Sequence, residues 1–382
     1  MSRGHPSIQS IVIVGAGIVG LSCALEFARR GVRVSLFEKT WPPRGASWAA
    51  AGMLAPAFEA IGVEGGHRDL FQLCDAGARA WPQWAERLER ESGLSSGYDA
   101  TPSLAVALNA ADAEKLAAVE AALRDHDQPP EFCTERLGEV EPTVTTNARA
   151  ALLLPSDGQA DNRLTLNALL KCVEQDPRIE VKVEPVPLTY RDGEIDHAGH
   201  NATLLTAGWQ TGAVAVDSKG QTLAMKALDP CLADVEPISG QMLSVEAIEE
   251  GPKTTIRSGH IYIVPKADRI VIGATSEPGR VITAPEVDQI ETLRQRAIEL
   301  CPILATAPVL ERWAGIRPGL KNHAPLLGET RIDNLFVASG HYRNGILLAP
   351  ITAEIMADLI LDGNAGALAR AFAPRAALTT QM

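Results

Sequence analysis

The segment IVIVGAGIVG near the start of the chain constrains the fold more than any other feature of the sequence. Apolar residues 11–14 form a short strand pattern that runs into Gly15-x-Gly17-x-x-Gly20, and apolar residues then recur at helical spacing. In such a turn the first glycine permits the bend, the second lets backbone approach a pyrophosphate, and the third lets helix and strand pack closely. The N–H groups and the dipole of the helix N-terminus favour phosphate. The segment therefore predicts an α/β, Rossmann-like domain that binds a dinucleotide.

The residues after this helix follow in the order that a dinucleotide site needs. A second strand, VRVSLF, ends at Glu38, eighteen residues beyond Gly20, where a carboxylate can accept hydrogen bonds from both hydroxyls of a ribose. A glycine pattern alone is a weak signal and also fits a structural turn. Strand, helix, strand and acid together favour dinucleotide binding, but they do not choose between NAD and FAD.

A run of small residues, RGASWAAAGMLAP at positions 44–56, follows where an NAD-binding chain would enter its next crossover helix. Two interpretations fit this run. It is either a packed alanine-rich helix or a segment whose small side chains let backbone lie flat against a long cofactor. Its position just after Glu38 favours the second interpretation.

The uncharged stretch 11–25, preceded by Arg3 and His5, also resembles a signal-peptide core or a short membrane span. It contains three glycines and ends at Glu26. It is also shorter than the ~20 residues that a spanning helix requires. A buried strand followed by a helix explains the same residues, so we expect a cytoplasmic protein without a membrane partner.

Composition excludes several classes of function. The 382 residues are 46% hydrophobic and 21% charged, which suits a globular chain of two domains. The net charge of −12 comes from 35 basic and 47 acidic residues without a basic block, which favours a small-molecule partner over nucleic acid. No CxxC or nearby-histidine spacing suggests a metal site or a disulfide framework. The six cysteines are Cys23, Cys74, Cys133, Cys172, Cys231 and Cys301.

The remaining pattern predicts two domains of different architecture. Helical spacing covers residues 70–94, 110–126 and 164–175, and IEVKVEPV, ATLLTAG and NLFVASG are typical of strands. The segments GQMLSVE, HIYIVPKADRIVIGAT and ERWAGIRPG alternate as in an antiparallel sheet. We expect a discontinuous dinucleotide-binding domain at 1–75, 147–225 and 308–382. A substrate-binding domain at 76–146 and 226–307 is then built on an antiparallel β-sheet with helices.

The segments IVIVGAGIVG, AAAGMLAP, YIVP, IGAT, RWAGIRPG and GHYRNGILLAP occur in this order over almost the whole chain. Through them the chain resembles the FAD-dependent D-amino-acid oxidase family, and within it the branch that oxidises glycine for thiamine biosynthesis. The resemblance implies noncovalent FAD and oxidation of glycine, sarcosine or a small D-amino acid by molecular oxygen, with hydrogen peroxide as a product. It also implies a homo-oligomer, namely a tetramer. Two other functions stay open: a dehydrogenase that passes electrons to a quinone or partner protein, and a flavin-binding subunit without its own activity.

The resemblance also implies which residues contact FAD besides the glycine-rich turn. They are Ile18 and Val19 at the pyrophosphate, Glu38 and Lys39 at the ribose, Val186 at the adenine, Ala46, Ser47, Ala51, Gly52 and Met53 along the flavin, and the loop residues His341, Tyr342, Arg343, Asn344, Gly345, Ile346 and Leu347. A helix that begins near Gly345 can stabilise negative charge on the flavin through its N–H groups. A capped surface helix after a polar loop is the other interpretation of this loop. No cysteine follows Cys301, which favours noncovalent binding.

For the substrate, the resemblance implies that Arg317 clamps the carboxylate, that the Tyr262 hydroxyl assists, and that Arg343 adds a contact. Arg317 lies between small residues in AGIRPG, which leaves its fork open for a bidentate contact. His260 and Tyr262 are two apart on a strand and share a face. Taken singly, such an arginine is more often in a salt bridge and such a tyrosine in the core. His260 stays open between a structural and a functional role, and no side-chain general base is assigned.

The chain departs from the family pattern at three places. Ser276 follows GAT where relatives can carry a larger apolar residue, and Ser239 replaces a basic residue that often precedes GQ. The tripeptide KNH, residues 321–323, replaces an Asp-Gly turn. The two serines concern specificity more than chemistry.

Overall fold

The computed structural model describes residues 8–61, 68–124, 130–259 and 261–374. The helices are α1 (Ile18–Arg29), α2 (Ala46–Ala49), α3 (Pro56–Ile61), α4 (Arg68–Ser92), α5 (Ala110–Arg124), α6 (Leu137–Val140), α7 (Asn162–Gln175), α8 (Val287–Leu300), α9 (Gly345–Asp362) and α10 (Gly366–Arg370). The strands are β1 (Ser10–Val14), β2 (Arg33–Phe37), β3 (Met53–Leu54), β4 (Tyr98–Asp99), β5 (Ser103–Ala107), β6 (Glu131–Phe132), β7 (Ala150–Leu154), β8 (Gly158–Ala160), β9 (Ile179–Lys182), β10 (Thr189–Arg191), β11 (Glu194–Asp196), β12 (Ala202–Leu205), β13 (Ala215–Ser218), β14 (Gln221–Ala224), β15 (Glu236–Glu246), β16 (Ile256–Ser258), β17 (Ile261–Pro265), β18 (Arg269–Gly273), β19 (Glu277–Pro278), β20 (Val309–Gly319), β21 (Leu326–Glu329) and β22 (Leu335–Ser339).

One layer of the fold is a six-stranded sheet in the order β21-β22-β12-β1-β2-β9. The pairs from β22 to β9 are parallel, and β21 is an antiparallel edge strand. Strands β1, β12 and β22 are buried along their whole length, which explains why they appear in the sequence as continuous apolar runs. The strands come from distant parts of the chain, so this layer is discontinuous in sequence, as predicted.

Gly15, in the turn between β1 and α1, and Gly20, in the first turn of α1, leave no room for a side chain. Gly15 has φ +105°, and a Cβ there would lie 2.7 Å from the Cα of Ala207. A Cβ on Gly20 would collide with the carbonyl oxygen of Gly15. The hydroxyl of Thr206, just after β12, donates to that same oxygen at 2.7 Å. Gly20 therefore lets α1 pack onto the turn, which is the role the sequence predicts for it.

The second layer is a larger sheet in the order β19-β15-β18-β17-β16-β5-β7-β6, with β20 paired to β15. It is antiparallel except where β16 pairs with β5. Residues that lie directly opposite one another on successive strands share a face, and one such row is Arg257, Tyr262, Gly273, Met242 and Trp313. This face packs against the segment of α2 and β3, and the opposite face packs against α8.

Two strands differ from the predicted division of the chain. Strands β7 and β20 pair within the antiparallel sheet, although residues 147–225 and 308–382 were predicted for the dinucleotide domain. Alternating polarity in ERWAGIRPG already indicates this sheet for β20. The chain therefore leaves the antiparallel sheet after β7 and after β20, later than the predicted domain bounds at residues 147 and 308.

Helix α9 begins at Gly345 and stops before Gly363, whose φ is +69°. Pro350 lies within α9 and cannot donate a hydrogen bond to the carbonyl of Ile346. The indole N–H of Trp81, on α4, donates to the Ile346 oxygen at 3.2 Å and to the Leu347 oxygen at 3.1 Å. Trp81 thus supplies the donor that Pro350 lacks and joins α4 to the start of α9.

The predicted helices occur with shifted ends. Helix α4 begins and ends two residues earlier than the predicted range 70–94. Helix α7 begins at Asn162 because the Asp161 carboxylate accepts hydrogen bonds from the N–H groups of Arg163 and Leu164. Helix α5 is described to Arg124, and residues 125–129 lie outside the described ranges.

The small-residue run 44–56 forms neither one alanine-rich helix nor one strand. Its middle is the four-residue helix α2, and its end is the two-residue strand β3, which pairs with β8.

Among the helices that the structure describes, none is both long and apolar enough to cross a membrane.

Candidate active site

A cavity of about 690 Å³ lies between the two layers. One wall contains the carboxyl ends of β1, β2 and β22, and the other contains the row of the antiparallel sheet that carries Tyr262. Ligands of open α/β sheets bind at the carboxyl ends of the strands. The cavity therefore unites the predicted dinucleotide site and the predicted substrate site.

Most of the predicted site residues line this cavity, namely Gly15, Gly17, Ile18, Val19, Glu38, Lys39, Ala46, Ser47, Ala51, Gly52, Met53, Val186, Tyr262, Arg317, His341, Tyr342, Arg343, Gly345 and Ile346. Three predicted residues are not part of its lining. Gly20 packs beneath the glycine-rich turn, Asn344 is the buried residue before α9, and Leu347 lies in the core. His260 lies outside the described residues, so its role stays a prediction.

Glu38 holds a fixed position at the end of β2. Its Oε2 accepts a hydrogen bond from the N–H of Ala16 at 2.8 Å, and its Oε1 accepts one from the N–H of Lys39 at 2.8 Å. The first contact ties the carboxylate to the glycine-rich turn. Oε1 also accepts a longer hydrogen bond from the N–H of Thr40 at 3.4 Å, and a lone pair on Oε2 remains for a ribose hydroxyl, the role predicted for this residue.

Ser47 lies against the start of α1 as well as along the cofactor strip, which we define as residues 46–53. Its hydroxyl oxygen accepts a hydrogen bond from the N–H of Ile18 at 3.0 Å. This N–H is one of the donors that a helix N-terminus leaves without an intrahelical partner. Ser47 therefore links the start of α1 to the cofactor strip.

The cofactor strip is held from the side away from the cavity. The amide of Asn162, at the start of α7, donates to the carbonyl oxygens of Ser47 at 2.9 Å and Trp48 at 2.8 Å. The indole N–H of Trp313 donates to the carbonyl oxygen of Ala49 at 2.9 Å. Both layers of the fold thus position the strip.

Gly52 lies where a side chain would collide with the carbonyl oxygen of Ala160, and its φ is +79°. The ammonium of Lys266 lies behind it and donates to that oxygen at 2.8 Å and to Oε1 of Gln159 at 2.9 Å. Burial lowers the pKa of Lys266 to about 7, and the nearby Asp161 carboxylate acts in the opposite direction. Lys266 thereby braces the cofactor strip from the antiparallel sheet.

The loop between β22 and α9 is anchored at both ends. His341 is buried, and its Nε2 lies 3.1 Å from the hydroxyl of Thr352 on α9. Burial lowers the pKa of His341 to about 4, so the ring is neutral at physiological pH. The N–H of Tyr342, which has φ +51°, donates to the carbonyl oxygen of Pro318 at 2.7 Å. The side chain of His341 thus ties the loop to α9, and the main chain of Tyr342 ties it to β20.

Two of the departures from the family pattern contact Tyr342. The Ser276 hydroxyl lies 3.3 Å from the Tyr342 hydroxyl, and the His323 ring stacks on the tyrosine ring with 4.9 Å between centres. The exposed Arg343 lies with its guanidinium carbon 5.1 Å from the same ring. Ser239 instead accepts a hydrogen bond from the N–H of Ile282 at 2.9 Å and so ties down a loop that lines the cavity.

Arg317 lies on β20 with its guanidinium across the backbone of Gly240 on β15. Its Nη1 donates to the carbonyl oxygen of Thr275 at 3.2 Å and, more weakly, to that of Ser239 at 3.5 Å. Among the residues that the structure describes, no carboxylate lies within 4 Å of this guanidinium. Main-chain oxygens therefore orient the charge and leave its fork for an anionic ligand.

Tyr262, on β17 and three strands from β20, repeats this arrangement. Its ring crosses the backbone of Gly273 on β18, in the space that a Cβ would fill. Tyr262 and Arg317 thus approach the same part of the cavity over glycines. Sequence reasoning missed this role of Gly240 and Gly273, although both glycines lie within segments predicted to be strands of the antiparallel sheet.

Sequence reasoning also missed Arg257. It lies on β16 directly opposite Tyr262, is buried, and lines the cavity. The segment TIRSGH carries no motif, and the available signal was one charged residue inside an otherwise ordinary strand.

The residues present fit an FAD molecule. Gly15, Gly17 and Gly52 present bare backbone to the cavity, and Glu38 stands at the ribose position. Both α1 and α9 begin on the cavity, so two positive dipole ends face it at separate points. One suits a pyrophosphate, and the other suits a ring system that gains negative charge.

A parallel sheet with a glycine-rich turn, an antiparallel sheet and this cavity between them are typical of a flavin-dependent oxidoreductase. Residues 10–359 match the DAO family, described as FAD dependent oxidoreductase. The chain belongs to this family, and its cofactor is FAD. The predicted family, fold class and cofactor are confirmed.

A glycine oxidase of Geobacillus kaustophilus is 31% identical over 355 residues that cover 92% of each chain. A crystal structure of glycine oxidase from Geobacillus kaustophilus matches with a TM-score of 0.84 and 28% identity, over 95% of this chain and 97% of that chain. The bifunctional protein ThiO/ThiG of Trichormus variabilis is 33% identical over 363 residues, which cover 93% of this chain and 53% of the relative. The chain therefore spans about half the length of that bifunctional relative.

Proposed function

We propose that this protein is an amino-acid oxidase that converts glycine, sarcosine or a small D-amino acid into the oxo acid, ammonia or an amine, and hydrogen peroxide. The observation that carries the proposal is the guanidinium of Arg317, oriented by main-chain oxygens on the cavity wall that faces the cofactor strip. Similarity to glycine oxidases over 92% of the chain supports the same substrate class.

In this proposal the chain's contribution is positioning. The fork of Arg317 binds the substrate carboxylate at two points, and the Tyr262 hydroxyl adds a third hydrogen bond. With the carboxylate fixed, the α C–H bond keeps one direction relative to the cofactor strip, which removes much of the entropic cost of the reaction. Bound FAD would supply the redox chemistry, that is, two-electron oxidation of the substrate with oxygen as the final acceptor.

His341 is not suited to act as the general base. Its pKa of about 4 is too low to deprotonate an amino acid's ammonium group, and its Nε2 already contacts the hydroxyl of Thr352. The substrate therefore reacts with its amine already neutral. The start of α9, at Gly345 and Ile346, supplies N–H groups that stabilise negative charge at the cofactor.

Anaerobic mixing of the purified holoprotein with glycine tests the proposal. We expect loss of the visible flavin absorbance, which air restores while hydrogen peroxide, ammonia and glyoxylate form in equal amounts. If glycine, sarcosine and D-alanine all leave the flavin oxidised, the proposal is wrong and a flavin-binding subunit becomes the better description. If glycine bleaches the flavin but a quinone restores it and air does not, the protein is a dehydrogenase.

We further propose that the activity serves thiamine biosynthesis in the cytoplasm and that the protein is a homo-oligomer, with a tetramer expected. The similarity to a bifunctional ThiO/ThiG protein supports the pathway, and light scattering on the purified protein tests the assembly.

We also propose two domains. Residues 1–75, 147–225 and 308–382 form the FAD-binding domain, except that β7 and β20 belong to the substrate-binding domain, which otherwise comprises residues 76–146 and 226–307.

A further inference from the structure

A second arginine lies on the same wall of the cavity as Arg317. Arg257 is only 5% exposed, and its Nη2 lies 3.4 Å from the sulfur of Met53. Its guanidinium carbon lies 4.7 Å from the ring centre of Phe58. Both neighbours also line the cavity. A guanidinium has five N–H donors, so contacts with protein groups are compatible with a further bond to a ligand.

The two arginines stand on either side of Tyr262. Arg257 is on β16, and the Arg317 guanidinium lies over Gly240 on β15, with β17 and β18 between them. Strands lie about 4.8 Å apart, so the Arg257 backbone and Gly240 are separated by roughly 14 Å across the sheet. Met53, which Arg257 contacts, packs against the cluster that contains Met242. The Arg257 side chain therefore reaches the last residue of the cofactor strip and lines the same cavity as Arg317.

We propose that Arg257 binds a second carboxylate of the substrate, so that the protein prefers aminodicarboxylates. These are amino acids with a second carboxylate on the nitrogen substituent or at the end of a short side chain. The proposal rests on the proposed function, in which Arg317 binds the first carboxylate. Two cations on one face of a cavity are complementary to a ligand with two anionic ends, and such complementarity selects among otherwise similar ligands.

The reaction balances with the chemistry already proposed. For iminodiacetate one α C–H bond breaks, its hydride and the N–H proton reduce oxygen to hydrogen peroxide by way of FAD, and a C=N bond forms. Water then adds to that bond, and glyoxylate and glycine leave. For D-glutamate the same steps give 2-oxoglutarate and ammonia.

Two matched pairs of substrates isolate the second carboxylate. N-Ethylglycine is iminodiacetate with one carboxylate replaced by a methyl group, and D-norvaline is D-glutamate changed in the same way. We expect kcat/KM of the wild-type holoprotein to favour the dicarboxylate by at least about 10-fold in one pair, since a hydrogen bond to a charged group contributes about this much. The pair that shows the preference identifies where the second carboxylate is carried. Ratios of 1 or below in both pairs overturn the proposal.

The variant Arg257→Met assigns the preference to this side chain. We expect its ratio to fall to about 1 or below, because the methionine keeps apolar bulk and removes the charge. Arg44→Met removes an exposed cavity-lining arginine that contacts Trp48, and it should keep the wild-type ratio. A ratio that survives in Arg257→Met overturns the proposal.

Binding without turnover gives a second measurement. Glutarate and pentanoate differ only by the second carboxylate, and the flavin absorbance change on titration reports Kd for each. We expect wild-type protein to bind glutarate at least about 10-fold more tightly, and Arg257→Lys to retain part of this difference. Equal affinities overturn the proposal even if Arg257→Met does not fold. Glycine turnover with equal affinities rejects only the second site, whereas no bleaching by any amine rejects the oxidase function itself.

Discussion

The guanidinium of Arg317 occupies the space that a Cβ on Gly240 would fill. The two residues lie on the neighbouring strands β20 and β15, and Arg317 lines the cavity. Tyr262 crosses Gly273 in the same way on the other side of β15. In each case a glycine on the next strand decides where the functional end of a long side chain lies.

Gly240→Ala should therefore damage the substrate site without touching a substrate contact. The added methyl group displaces the Arg317 guanidinium, and kcat/KM for glycine should fall by about 10- to 100-fold, the loss expected for a misplaced charge-assisted hydrogen bond. FAD content should stay near one per chain. Gly138→Ala, at a position with open space and ordinary φ, is the control and should keep wild-type kinetics. Unchanged glycine kinetics in Gly240→Ala would contradict the role of this contact.

Arg317→Ala removes the residue proposed to bind the substrate carboxylate. Loss of a bidentate, charge-assisted contact from a partly closed site should cost ~2–5 kcal/mol in kcat/KM for glycine. Tyr262→Phe removes one hydroxyl and should cost less, about 0.5–3 kcal/mol. For an amine without a carboxylate, kcat/KM should change little in Arg317→Ala. A loss confined to substrates with a carboxylate therefore identifies the carboxylate contact. If Arg317→Ala instead loses FAD while turnover per bound flavin is unchanged, Arg317 is structural.

Gly20→Ala tests the packing of α1 on the glycine-rich turn. Its Cβ would meet the carbonyl oxygen of Gly15, so the turn or the helix must move. We expect a loss of about 1–3 kcal/mol in the free energy of unfolding of the apoprotein, and weaker FAD binding. Denaturant unfolding and FAD titration measure the two effects, again with Gly138→Ala as the control. An effect on FAD alone would mean that Gly20 acts at the cofactor and not in packing.

His341 should make stability depend on pH in the mildly acidic range. Its pKa is lowered from 6.5 to about 4 in the folded protein, because burial disfavours the charged ring. Between these values the unfolded chain binds a proton that the folded chain does not, so the contribution is full above pH 6.5 and is lost as pH falls towards 4. The amount by which the Tm of wild type exceeds that of His341→Gln should therefore shrink as the pH falls from 6.5 towards 4. A constant difference would contradict the shift.

Lys266 should act in the opposite pH range. Its pKa is lowered from 10.5 to about 7 in the folded protein, mainly by burial. From pH 7 to 10.5 the unfolded chain holds a proton that the folded chain has lost, so stability rises with pH in this window. Wild-type stability relative to Lys266→Met should therefore increase between pH 7 and 10, as measured by denaturant unfolding at each pH. A flat or falling difference would show that the ammonium stays charged in the fold.

Sequence reasoning recovered the parts of the site whose signals are local in the chain. The turn at Gly15, the cofactor strip and the loop after β22 each show their pattern within a few residues. Contacts between distant strands were not recoverable, because the register of β15 against β20 places Gly240 beneath Arg317. Nothing within either strand alone specifies that register.

The position of Arg257 also could not be predicted from its own segment. Its own segment predicts a short strand and nothing more, and its place on the cavity follows only from its pairing with Tyr262. The start of α7 could have been placed better, since Asp161 is a good N-cap residue two positions before Arg163. The pattern of ERWAGIRPG predicted the antiparallel sheet for the end of β20, and only the predicted domain bound at residue 308 placed this strand in the other domain.

All six cysteines are buried in the core. Burial raises the pKa values of Cys23, Cys133, Cys172, Cys231 and Cys301, the last to about 12. Peroxide attacks thiolates that are exposed, and these sulfurs are protonated and enclosed. If the protein releases hydrogen peroxide as proposed, the location of its cysteines protects it from self-inactivation at sulfur, and its working lifetime should not depend on added reductant.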